Sequence, residues 1–106
     1  MPTNEEIYDE AVALHDRGKT DEAIGKLNEL VSGAPDYAIA YSALSVYYGK
    51  QEQYDKAIEN AKKVCELEPN DPFSFVALSL MCQKGGKFEE AENALIRARQ
   101  VEAALG

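Results

Sequence analysis

A single shift of 34 residues lays most of this chain onto itself. It carries Pro35 onto Pro69, and a second shift leads to Ala103. The same step aligns Ala23, Ala57 and Ala91, then Leu27, Ala61 and Leu95, then Leu30, Val64 and Ala98. Upstream it superposes bulky Ile7, Tyr41 and Phe75 and small Ala11, Ser45 and Ser79. A period of this length with a recurring code of large and small residues restricts the fold to stacked helix pairs. Each pair is a unit that buries its apolar face only against its neighbours.

The helical reading stands without that alignment. Apolar residues recur at spacings of three and four, as in Ile7, Ala11 and Leu14 and again in Ala23, Leu27 and Leu30. Turn chemistry divides each unit at RGKT (17–20), KQEQ (50–53) and KGGK (84–87). Thr3 and Glu6 are spaced as a capping box, and Pro72 after Asp71 suits a first helical turn. These signals predict helices near 4–16, 21–32, 37–50, 54–67, 72–84 and 88–104. The small columns mark close approach of the two helices in a pair, and Tyr41, Phe75, Tyr48 and Leu14 fill the volume between neighbours. The prolines, unable to continue a helix, fix where the chain reverses.

Ser45, Tyr48, the run Tyr54-x-x-Ala57 and the closing Glu68-Pro69-Asn70 together resemble the tetratricopeptide-repeat pattern, and Phe88-x-x-Ala91 repeats part of it. The resemblance covers nearly the whole chain as three tandem repeats, 4–37, 38–71 and 72–105, in one domain (1–106). It implies an all-α fold: an α-solenoid forming a right-handed superhelix, with a concave groove lined by the first helix of each repeat. Thr20 stands where the family has an aromatic residue, Cys82 where it has a bulky one, and Ala103 where the last proline would be.

The ends of the array are expected to be soluble. Ile24 and Ile58 align with Glu92, and Val31 and Cys65 with Arg99, on one helix face. At the start, Glu6 precedes Ala40 and Ser74, and Glu10 precedes Leu44 and Leu78. Charge thus replaces apolar or small residues where an internal repeat would be covered, and both ends read as finished. Ile96 departs from this pattern on an otherwise charged outer face.

Composition narrows function further. The net charge of −8 repels phosphate backbones and anionic lipid, so neither nucleic acid nor membrane is an expected partner. MPTNEEIYDE is not a secretory signal, and the nearly apolar run from Tyr37 to Tyr48 is too short to span a bilayer. A soluble, cytoplasmic protein is expected. Cys65 and Cys82, with one histidine (His15) and no CxxC, read as small buried hydrophobes rather than a disulfide or metal site. No phosphate-binding glycine loop or nucleophile–base set is evident, so no enzyme and no cofactor are expected.

The informative columns lie on the inward side of the first helices. Val12, Val46 and Leu80 form one column, Glu5, Ile39 and Phe73 a second, Asp9, Ala43 and Ala77 a third, and Tyr8, Ser42 and Val76 a fourth. Lys50 and Lys84 lie toward the helix ends. Given the family geometry, the groove floor is apolar over repeats two and three, with an acidic rim from Glu5 and Asp9. Some family members grip chaperone carboxylate tails with a clamp of lysines, asparagines and an arginine. Here Tyr8, Val12, Ala43, Phe73 and Ala77 occupy those places, which disfavours that ligand.

Charge also grades along the array. The first repeat has nine acids and three bases, the second six and four, the third four and four. The reading is a non-catalytic scaffold or adaptor. It would bind a protein segment or helix carrying hydrophobic anchors and a basic end. A monomer is expected; the alternative is a self-assembling structural protein whose homodimers form through the terminal helix.

Overall fold

The computed structural model describes all 106 residues and contains six α-helices and no strand. They are α1 (Asn4–Asp16), α2 (Thr20–Gly33), α3 (Ala38–Lys50), α4 (Tyr54–Leu67), α5 (Pro72–Lys84) and α6 (Phe88–Leu105). Each differs from its sequence-based bounds by at most one residue at either end. The helices pack pairwise as α1 on α2, α3 on α4 and α5 on α6, and successive pairs join through α2–α3 and α4–α5. The result is an elongated α-solenoid, 41 × 29 × 20 Å.

Local chemistry sets the helix ends. Thr3 Oγ1 accepts from the Glu6 backbone N–H at 3.1 Å, and Glu6 Oε1 accepts from the Thr3 N–H at 3.2 Å, closing the capping box. Asp71 Oδ1 accepts from the Phe73 N–H at 3.0 Å, with Pro72 opening α5. Such caps each contribute about 1 kcal/mol.

Within each pair the first helix closes in the same way. Lys19, Gln53 and Lys87 donate their N–H groups to the carbonyls of Leu14, Tyr48 and Cys82 at 2.8–2.9 Å. This six-to-one bond requires a left-handed residue just before the donor. Gly18 (φ +81°) and Gly86 (φ +78°) supply it without strain, whereas the middle repeat uses Glu52 at φ +61°.

The second helices show what the prolines do. Those of the first two repeats end at Gly33 and Leu67, each followed two residues later by proline. With Ala103 at that place, α6 runs on to Leu105.

The core is nearly continuous along the array. Ala11, Ala23, Leu27, Ala40 and Leu44 are fully buried in one cluster, and Ala57, Met81, Cys82 and Ala91 anchor a second. Tyr48 packs against both. Ser45 and Ser79 lie between helices, each donating its hydroxyl to a carbonyl of the paired helix, those of Ala57 and Ala91, at 2.8 Å. Gly49 lets α5 approach α3: a Cβ there would sit 3.0 Å from Met81 Sδ. Tyr41, Tyr48, Phe75 and Leu14 are only half-buried, and the most deeply buried aromatic is Tyr47, at 6% exposure and stacked on His15 with ring centres 4.1 Å apart. His15 also pairs through Nδ1 with Thr20 Oγ1 at 3.0 Å, so the polar residue at the usual aromatic position has a partner.

Candidate functional site

An interior that closes this way leaves the opposite side of α3 and α5 uncovered. Ile39 (51% exposed) and Val46 (43%) project from α3, and Phe73 (77%), Val76 (45%) and Leu80 (47%) from α5. Scattered apolar residues are ordinary on a surface, but five large ones on two adjacent first helices form a patch.

Part of that patch is concave. A cleft of about 260 Å³ opens where α3, α4 and α5 meet, with Val46, Val64, Phe73, Ala77 and Leu80 among its walls. Asp71 stands in the same wall and is exposed, one carboxylate oxygen held by the α5 N-terminus. The volume lies just below the roughly 300 Å³ at which small-molecule pockets begin. It suits an inserted side chain better than a cofactor, and burying one large aliphatic or aromatic anchor there contributes about 1.5–3 kcal/mol.

The residues singled out from sequence separate into groups. Val46, Phe73, Ala77 and Leu80 come together in the cleft, while Ile39 and Val76 lie outside its walls on the same helices. Ala43 is 8% exposed and belongs to the first core cluster, so it offers a partner almost no surface. Tyr8 packs against that cluster too, and Val12 is half-buried. Burial, aided by the Asp9 carboxylate, raises the Tyr8 phenol pKa above its ordinary value. Glu5 and Asp9 are exposed on α1, and Lys50 and Lys84 are exposed at the C-terminal ends of α3 and α5, all outside the cleft. In the sequence, Asp71 is only the residue before Pro72 and Val64 only a member of the Leu30–Val64–Ala98 column, and neither is marked as part of a site. The signal for both was the helix junction after Pro69, which brings the α4 C-terminus and the α5 N-terminus to one wall.

Both cysteines are free and buried. Cys65 Sγ lies 3.3 Å from the Ser74 carbonyl, and Cys82 Sγ lies 4.0 Å from Glu90 Oε2. Burial pushes both thiols above their ordinary pKa, and Glu90 adds to the shift at Cys82.

A tetratricopeptide-repeat family model matches residues 38–71, the span of α3, α4 and the loop after them. MamA superposes with a TM-score of 0.88 at 25% identity, over 95% of this chain and 55% of that one. The chain folds as tandem tetratricopeptide repeats. In sequence, this tetratricopeptide array is 33% identical over 108 residues to human protein O-mannosyl-transferase TMTC1. That alignment takes in 88% of this chain but only 12% of the human protein. The second tetratricopeptide domain of Spaghetti (RPAP3), bound to the HSP90 peptide SRMEEVD, superposes with a TM-score of 0.80 at 16% identity. There the overlap is 92% of this chain and 91% of that one. At that identity the likeness is one of fold. Of the five residues at the places of a carboxylate clamp, Ala43 is buried, Tyr8 and Val12 are half-buried, and Phe73 and Ala77 line an apolar cleft.

Proposed function

We propose that this array is a non-catalytic protein-interaction module, a scaffold or adaptor that seats a partner's peptide segment or helix across the α3–α5 cleft. The observation that carries the reading is the uncovered apolar surface of Val46, Phe73 and Leu80 around a concavity of side-chain size. Buried anchors supply most of the affinity in such a site. Glu5 and Asp9 on α1 favour a segment whose basic end lies toward the first repeat, and Asp71 adds an acidic contact at the cleft itself. Their charge acts chiefly on orientation and association rate. Lys50 and Lys84 at the other edge are available to an acidic residue of the same segment.

The acidic surface, with no helix long and apolar enough to cross a membrane, fits a cytoplasmic protein acting on protein partners rather than on nucleic acid or lipid. The solved RPAP3 domain with a bound peptide supports a peptide ligand in this fold. The apolar cleft wall carries no nucleophile–base pair, which favours binding over catalysis. The test is selection from a random peptide library, together with a pull-down comparing the natural chain with Leu80→Glu. Selected peptides should carry spaced large apolar residues and a basic end. Peptides retained equally by the Leu80→Glu chain would place the site elsewhere.

A second reading, self-association through α6 in homodimers, is favoured by the exposure of Phe88 (70%) and Ile96 (43%) on that helix.

A further inference from the structure

The contacts that join one repeat to the next have a fixed register, and that register can be carried past the last helix. Cys65 Sγ meets the Ser74 carbonyl at 3.3 Å across the α4–α5 junction. Gln51 Nε2 donates to Asp21 Oδ1 across the first junction, at 2.6 Å, and Asn28 Nδ2 donates to the Tyr48 hydroxyl there at 3.1 Å. Advancing each pair by whole 34-residue units, until the first member lies on α6, returns the second member to α1 of another copy or to the residue capping its C-terminus. Cys65–Ser74 becomes Arg99–Glu6, Asp21–Gln51 becomes Glu89–Arg17, and Asn28–Tyr48 becomes Ile96–Leu14.

These three substituted pairs are complementary: two join opposite charges, and the third puts exposed Ile96 on half-buried Leu14. The Ser74 Oγ contact to the Glu68 carbonyl, carried over in the same way, instead sets Glu6 beside Glu102 and leaves Arg99 to offset that repulsion. Arg17 and Arg99 take no part in any ion pair within the chain. Both oxygen contacts of the α1 capping box use Glu6 Oε1, leaving Oε2 for another donor. The charges that keep the two end faces soluble therefore also match each other.

We propose that the α6 face of one copy docks on the α1 face of a second copy, continuing the internal stacking head to tail. The interface is heterologous, so each added copy leaves a new α6 face open and growth does not stop at two. The charge gradient supports this polarity: α1 against α1 would oppose two repeats of net −6, whereas α6 against α1 sets a neutral repeat on an acidic one. This interface is separate from the α3–α5 cleft, and its success or failure is independent of peptide binding there.

The experiment is sedimentation of the 106-residue chain over a wide concentration range. The weight-average mass should rise past that of a dimer with no plateau. Arg99→Glu and Glu6→Arg should each weaken association about tenfold or more. An equimolar mixture of the two should assemble again, because each variant's altered face matches the other's. Because Glu6 also closes a helix cap, the same exchange is made with Glu89→Arg and Arg17→Glu, and circular dichroism checks that all four variants are folded. A natural chain that stays monomeric would overturn the proposal. So would a mass that stops at the dimer and ignores the α1 substitutions, since that result belongs to an α6-to-α6 contact. Failure of both mixtures to assemble, with the natural chain assembling, would refute the register.

Discussion

The hydroxyl of Ser45 donates to the carbonyl oxygen of Ala57 at 2.8 Å, and 34 residues later Ser79 repeats the bond to Ala91 at the same distance. Both serines are buried. The small column is thus more than an absence of bulk: in two repeats it ties the paired helices together at their closest approach. In the first repeat Ala11 and Ala23, both fully buried, meet the size requirement with no hydroxyl. A net hydrogen bond of this kind contributes about 0.5–1.5 kcal/mol. Ser45→Ala should lower unfolding free energy by about 1 kcal/mol in urea titration. Ser32→Ala, at an exposed hydroxyl, should change it little.

Glu52 occupies the left-handed position that Gly18 and Gly86 fill in the other repeats. A side chain in that conformation costs about 1–2 kcal/mol, part of which glycine returns as flexibility of the unfolded chain. Glu52→Gly should therefore stabilise the protein by up to about 1 kcal/mol, and Gly18→Ala should destabilise it. Thermal melts of both variants give the comparison. A destabilising Glu52→Gly would mean that its side chain has an undetected role.

Ala57 is fully buried, with its carbonyl engaged by Ser45. Replacing it with leucine should overpack the α3–α4 contact and cost about 1–3 kcal/mol. Lys62→Leu, on the exposed side of the same helix, should be nearly neutral. Equal shifts in melting temperature would contradict the assignment of faces.

Much of this arrangement was readable before the structure, because size and period decide it. The repeat period and turn chemistry, with the Thr3–Glu6 box, Asp71-Pro72 and the prolines at 35 and 69, gave each helix within a residue at either end. The residues that escaped did so for identifiable reasons. Tyr47 shares its column with Ala13 and Met81, so no size code marked it as core. Ala43 lies on an inward-facing column, but its short side chain sinks between neighbours into the first cluster. Asp71 and Val64 reach the cleft only because a loop brings two helix ends together, which no single helix's periodicity records. The column Gly18–Glu52–Gly86 reads as polar turn chemistry, and its left-handed backbone emerges only with the six-to-one hydrogen bonds.

Cys65, Cys82, Tyr8 and Tyr47 all have acid groups whose pKa burial raises above the ordinary value. Folding therefore favours their protonated forms. Their contribution is fully present below the unfolded pKa values and is lost as pH rises through the folded ones. The melting temperature should fall progressively above about pH 9, and Cys82→Ala should soften that fall. Both thiols should also label slowly with a neutral alkylating reagent in the native state and rapidly in denaturant. Fast native labelling of either would contradict its burial.

Peptide binding and helical content, measured on the same samples of Val46→Glu and Leu80→Glu, test the proposed cleft most directly. Val46 and Leu80 are 43% and 47% exposed, so a carboxylate at either place is hydrated and the helices should remain intact. The same carboxylate removes an apolar contact at the cleft wall. A fluorescent peptide selected on the natural chain should lose nearly all affinity for both variants, with unchanged circular dichroism. Reversing Glu5 and Asp9 to lysine should slow association of that peptide and flatten its salt dependence, leaving weaker but measurable binding. Undiminished affinity with intact helices in both glutamate variants would show that partners dock elsewhere, and loss of helix would show that these side chains belong to the core.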